Sequence, residues 1–141
     1  MNIVYTAGVF DLFHIGHLNI LRASKALGDR LIVGVVSDKG TAEYKRQPVI
    51  NERDRLEIVR NIKCVDEAYI QPTTDPTPLL ESLRPHIFTH GNDWSRLLRG
   101  NDTLTSLGIE FVLLPYTPGI STSGLCRDLR NGDRIAIPLA H

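Results

Sequence analysis

Five short apolar runs separated by longer amphipathic segments predict a parallel α/β fold, with helices covering both faces of a five-stranded sheet in three α/β/α layers. Three observations carry the prediction. The runs have strand length and are rich in Val and Ile; helix-like segments lie between them; and 141 residues make about one domain, since domains run roughly 100–200 residues. Residues 1–130 are expected to form that domain, and 131–141 a tail.

The first strand is expected at residues 3–6. Leu18, Leu21 and Ala26 or Leu27 then recur near helical spacing, so residues 16–27 read as a helix with Gly28 following as its C′ residue. A second strand follows at 31–36. Asn51 is a good N-cap before the acids Glu52 and Asp54, and Leu56, Ile58, Val59 and Ile62 form the apolar stripe of the next helix. The third strand is expected at 67–70. Pro72, Pro76 and Pro78 keep the next segment a loop until about Thr77, where a helix burying Leu79, Leu80 and Leu83 begins and Pro85 ends it. A strand at 86–89 leads to a polar loop from Gly91 and a short helix at 102–107. The last strand is expected at 110–114 and the last helix at 121–130. In the tail Ile135, Ile137 and Leu139 alternate, which suits a strand or an extended arm.

The chain carries 16 Lys and Arg against 16 Asp and Glu, so it lacks the basic excess of a general nucleic-acid coat but leaves room for a local anion pocket. Its 42% hydrophobic content and 11 Gly argue against disorder and collagen. Cys64 and Cys126 stand far apart outside any CxxC or CxxH pattern, as free thiols of a reducing cytoplasm would. The N-terminus lacks the basic and cleavage regions of a signal peptide, and no apolar stretch approaches the roughly 20 residues of a membrane helix. A cytoplasmic protein with no membrane partner is expected.

The first strand runs into Gly8-Val9-Phe10-Asp11 and then His14-Ile15-Gly16-His17, which puts two imidazoles three residues apart where a helix begins. Side chains at i and i+3 share a face, so both rings can address one ligand. The carboxyl end of a parallel strand is where open α/β sheets bind ligands, and a helix start offers free N–H groups to phosphate. Neither GxGxxG nor GxxxxGK[ST] occurs, and the histidine spacing is not that of HExxH, with no third zinc ligand nearby.

The His14–His17 element after a GxFD turn resembles the signature of the cytidylyltransferase-like, or HIGH-type, nucleotidyltransferases. Lys63-Cys64-Val65-Asp66-Glu67 is similar to that family's R-x-V-D-E-V stretch, Gly91-Asn92-Asp93-Trp94 to its GDDW loop, and Gly119-Ile120-Ser121-Thr122-Ser123 to its GISTT element. These four elements span nearly the whole chain, and length and wording resemble most the bacterial glycerol-3-phosphate cytidylyltransferases of envelope polymer synthesis.

The resemblance implies a Rossmann-like fold of nucleotidyltransferase type. It also implies transfer of CMP from CTP to a phosphorylated small molecule, glycerol 3-phosphate first, with loss of pyrophosphate. His14 and His17 would hold the phosphates and stabilise the transition state, and Arg46 would stand where the family has a lysine. Gly8, Val9, Phe10, Asp11, Ile15, Gly16, Asp93, Trp94, Gly119, Ile120, Ser121, Thr122 and Ser123 would contact the nucleotide. Lys45, Arg55, Lys63 and Arg127 would serve the acceptor. Mg²⁺ would arrive with the triphosphate, held mainly by its phosphates and water rather than by side chains. A homodimer is the family habit.

Departures cluster on the acceptor side. Lys63 and Tyr116 replace arginines, Tyr44 and the segment 73–78 replace lysine positions, and Gly124 and Cys126 replace basic residues near Arg127. An adenylyltransferase acting on a heptose phosphate or a cofactor precursor, and a non-catalytic nucleotide-binding module, are the alternatives.

Overall fold

A computed structural model describes residues 1–43, 45–91 and 101–132. The elements follow in the order β1 (Ile3–Gly8), α1 (Ile15–Ala26), β2 (Arg30–Val36), α2 (Asp38–Ala42), α3 (Glu52–Arg60), β3 (Glu67–Gln71), α4 (Thr77–Leu83), β4 (Ile87–Gly91), α5 (Asn101–Ser106), β5 (Glu110–Leu114) and α6 (Thr122–Asn131). The five strands form one all-parallel sheet in the order β3-β2-β1-β4-β5. The chain builds outward from β1 in one direction and returns to build β4 and β5 in the other. The switch point between β1 and β4 is where an open parallel sheet leaves a crevice at its carboxyl edge.

Strand alternation sorts the apolar residues into two cores. Val4, Leu31, Val33 and Val35 face Leu21 of α1 and Val59 of α3. Tyr5, Ile32 and Phe88 face Leu80 of α4 and Leu104 of α5. The expected three-layer α/β/α fold is the observed one. Ser24 of α1 also donates to Ile20 O and shares a 2.7 Å hydrogen bond with Thr89 of β4, so this helix is held to the sheet by polar as well as apolar contact.

The strand at 110–114 and the helix from Thr77 lie where expected, while β1 runs two residues further, to Gly8, because Gly8 pairs with Val35. Gly28 follows the cap residue Leu27 at the expected C′ position, but without the left-handed conformation common there, and a Cβ on it would meet Asn2 O at 2.7 Å. Close backbone approach is what requires that glycine. The five-residue α2 is absent from the sequence reading, because it has no apolar stripe. Instead Ser37 caps it, accepting from Gly40 N–H, and Thr41 Oγ1 donates to Ser37 O. The tail's alternatives lie outside the described residues.

Inside the second core, Tyr5 is fully buried and its Oη–H donates to Gln71 Oε1 at 2.6 Å across the missing side chain of Gly34. Burial pushes the phenol well above its usual range, so it remains a donor throughout the stable pH range. A Cβ on Gly34 would overlap Tyr5 Oη. Gly34→Ala should therefore lower stability by about 1–3 kcal/mol, the usual cost of overpacking, read as a fall in the urea midpoint at constant m. An unchanged midpoint would show that the tyrosine can swing aside.

Candidate functional site

Phe10 and Leu12 both adopt left-handed backbone, at φ 55° and 49°, and fold the chain sharply around Asp11. Such conformations are uncommon for bulky residues and persist where surrounding contacts impose them. Asp11 supplies those contacts: 4% exposed, it accepts from Val49 N–H at 2.8 Å and Ile50 N–H at 2.9 Å, with Arg46 Nη1 3.5 Å away. Thr122 Oγ1 donates to Asp11 O at 2.8 Å, and Asn19 Nδ2 donates to Thr117 Oγ1, so the start of α6 is drawn against the same turn. One carboxylate and one hydroxyl thus gather three segments far apart in sequence.

His14 caps α1. Its Nδ1 accepts from Gly16 N–H at 3.0 Å, and His14 N–H donates to His17 Nδ1 at 3.2 Å. With Nδ1 occupied as an acceptor in each neutral ring, Nε2 carries the proton in both, so each ring offers an N–H donor. The rings stack 3.9 Å apart, and Phe10 and Phe13 pack against His17. Gly16 is required beneath them, since a Cβ there would lie 2.8 Å from the His14 ring. His14 Nε2 is buried with no hydrogen-bond partner, the one such side-chain atom among the described residues.

Burial lowers the His14 pKa, and burial together with the His14 and Lys45 charges lowers that of His17 to about 3, against a smaller opposing pull from Asp11. Both rings are therefore neutral at pH 7. The unfolded chain takes up protons on these rings near pH 6.5 and the folded one only lower, so stability present above pH 6.5 is lost as pH falls towards 3. Denaturant midpoints should decline from pH 6.5 to 4, and less steeply in His17→Gln. Parallel declines would remove His17 as the cause.

A cavity of about 760 Å³ opens at the carboxyl ends of β1 to β4. The structure brings to it Gly8, Val9, Phe10, Asp11, His17, Lys45, Arg46, Thr122 and Ser123, as the sequence led one to expect. His14 and Gly16 are not among the lining residues: His14 stacks on His17, and Gly16 N–H donates to His14. Ile15 is 38% exposed and lies outside the cavity lining. Gly119, at φ 84°, and Ile120, whose side chain reaches over Gly16, shape the turn before α6, and Ser121 spends its Oγ capping that helix. Asp93 and Trp94 lie outside the described residues.

Two expected acceptor contacts are corrected. Arg55 is fully buried below the cavity rather than in it: its Nε donates to Ile50 O, its Nη1 to Val9 O and Val36 O, and its Nη2 to Asp38 Oδ1 at 2.6 Å. It braces the segments that carry the site. Lys63 is exposed in the turn between α3 and β3, at the amino edge of the sheet and therefore opposite the cavity. There the adjoining Asp66 serves structure, accepting from Leu31 N–H and pairing with Lys25, which holds its carboxyl below the usual range. Arg127 is exposed a turn into α6, 3.8 Å from Asp128, with its guanidinium beside Gly124 at the start of that helix.

Sequence reasoning missed Thr41, Gln71, Thr74, Asp75, Thr77, His90 and Thr103, which also line the cavity. Gln71 carried a usable signal, a polar residue closing an apolar strand at the ligand-binding edge. Among the described residues no group of three His, Cys, Asp or Glu could hold a metal, and no helix is long and apolar enough to cross a membrane.

Residues 5–127 match the family model described as cytidylyltransferase-like. The chain is similar to the bifunctional protein HldE of Desulfatibacillum aliphaticivorans, 35% identical over 133 residues that cover 92% of this chain and 27% of that protein. The protein of the same name from Helicobacter pylori is 34% identical over 130 residues, 91% of this chain and 28% of its own. The chain thus spans about a quarter of the length of these curated relatives. The lipopolysaccharide core biosynthesis protein of Thermoplasma volcanium has a similar structure, with TM-score 0.73 and 31% identity, over 82% of this chain and 96% of that one. Pantothenate synthetase of Thermus thermophilus shares the fold at TM-score 0.60 and 16% identity, over 82% of this chain and 56% of that one.

Proposed function

The chain belongs to the cytidylyltransferase-like family, and from that premise we propose that it transfers a nucleotidyl group from ATP to a sugar phosphate such as a heptose phosphate. An oxygen of the sugar's phosphate attacks the α-phosphorus, the bond to the β-phosphate breaks, and pyrophosphate leaves with the electron pair. The observation that carries this reading is the stacked histidine pair with both Nδ1 atoms tied to backbone N–H groups, which leaves two neutral Nε2–H donors, one of them buried and unpartnered. Donors fixed before the reaction stabilise charge developing on phosphate oxygens without reorganising. Lys45 and Arg46 add positive charge at the same cavity, and Thr122 and Ser123 bring the start of α6 to it.

Mg²⁺ fits this site as a companion of the triphosphate. Asp11 already accepts two backbone N–H groups, so the ion would be held by phosphate oxygens and water, where it neutralises charge.

The donor and acceptor rest on the relatives. A name in lipopolysaccharide core synthesis calls for an activated sugar and supports this reading over the CTP and glycerol 3-phosphate expected from motif wording. Calorimetric titration with ATP and with CTP, each with Mg²⁺, tests it. The expected result is a preference for ATP of at least tenfold, about 1.4 kcal/mol. The same preference for CTP would return the assignment to cytidylyl transfer.

A further inference from the structure

The cavity has two chemically different sides. His17 packs on Phe10, which belongs to the core beneath α1 and α3, and the cations Lys45 and Arg46 line the cavity with it. Gln71 instead hangs from Tyr5, which belongs to the core beneath α4 and α5. Around Gln71 the end of β3 and the start of α4 contribute Thr74, Asp75 and Thr77 and no cation. A phosphate belongs on the first side, and a second anionic group would be repelled from the other by Asp75. What remains for that side is a neutral, hydroxyl-bearing body.

Gln71 is 1% exposed, and both ends of its amide are clamped. Oε1 accepts from Tyr5 Oη–H at 2.6 Å, and Nε2 donates to Thr73 O at 2.8 Å. A primary amide has two N–H donors and a carbonyl with two lone pairs, so the clamp leaves one donor and one acceptor in fixed directions. A clamped amide lining a cavity suits a hydroxyl, which both gives and accepts a hydrogen bond. An amide that is already oriented loses little entropy on binding.

We propose that Gln71 reads a hydroxyl group of the sugar phosphate acceptor, and that Tyr5 is the positioning residue that fixes the direction of the Gln71 amide. The proposal rests on the sugar phosphate reading above and assigns the residue that favours a hydroxylated acceptor over a compact or doubly charged one.

The test is calorimetric titration of the whole chain, in saturating Mg²⁺ and a non-hydrolysable ATP analogue, with a heptose phosphate, its deoxy analogues and glycerol 3-phosphate. Affinity for the analogue is measured separately. In Gln71→Leu, heptose phosphate affinity should fall tenfold or more while nucleotide affinity stays within twofold. One deoxy analogue that binds the wild type weakly should lose nothing further. Tyr5→Phe, which keeps the ring and its packing, should fall three- to fivefold on the same acceptor alone, so an unfolded Gln71→Leu still leaves the proposal open to refutation. Unchanged acceptor affinity in the folded variants, or equal loss for acceptor and nucleotide, would overturn it. A wild type that binds the nucleotide but prefers glycerol 3-phosphate would overturn it and spare nucleotidyl transfer. Absence of nucleotide binding would strike the parent reading, and the sugar phosphate titration would still decide the role of Gln71.

Discussion

His17→Ala should lower kcat for pyrophosphate release by about 10²–10³, or about 2.7–4 kcal/mol, as removal of one preorganised donor does in comparable sites. His14→Ala should lose at least as much, because the His14 side chain supplies its own donor, caps α1 by accepting from Gly16 N–H, and holds the His17 ring by stacking on it. Neutral rings make donors rather than general acids of ordinary imidazolium type, since burial and mutual repulsion hold the pair uncharged at pH 7. A histidine pair used only for ground-state binding would raise KM with kcat unchanged. That split between kcat and KM, measured with a sugar phosphate acceptor, separates transition-state stabilisation from simple affinity.

Arg55→Ala should destabilise the fold by about 3 kcal/mol or more, the cost of breaking a buried ion pair by removing one partner. The variant strands the carbonyls of Val9, Val36 and Ile50 as well as the Asp38 carboxylate, although Asp38 keeps 29% side-chain exposure and so some water. At roughly 2–4 °C per kcal/mol for a chain of this size, the melting temperature should fall by about 10 °C. Arg55→Lys preserves charge but not the planar fork, and should recover only part of the loss. A midpoint within 1 kcal/mol of wild type would mean that water or another donor replaces the guanidinium, and that the turns after β1 and β2 do not depend on it. Because Arg55 joins both turns to the segment that Asp11 holds, its loss should also weaken nucleotide binding at temperatures where the variant is still folded.

The layered sheet was legible because burial on both faces leaves strands as short apolar runs, and because each helix that buries a stripe repeats it at helical spacing. The α2 segment, Asp-Lys-Gly-Thr-Ala, has no such stripe and is held by a cap and by Thr41, which periodicity does not register. The histidine pair and the turn before α6 were legible as motifs, since both are local. Arg55 was not: spacing puts it on a helix, but whether a long cation faces water or three carbonyls is decided by elements far away in sequence. Lys63 misled for a related reason. It sits in a motif whose Asp66 ties the amino edge of the sheet together, so resemblance in wording there reports on folding and not on the acceptor. Gln71 was legible as a polar strand end, but its clamp was not, because Tyr5 reaches it across Gly34, a contact between residues 66 positions apart.

The most direct measurement is pyrophosphate release by the purified chain supplied with ATP, Mg²⁺ and a heptose phosphate, with each component omitted in turn. Release is expected to require all three and to be matched by an equal amount of nucleotide-linked sugar. Nucleotide binding without release, from ATP or CTP and with any phosphorylated acceptor, would contradict it and leave a binding module in place of an enzyme.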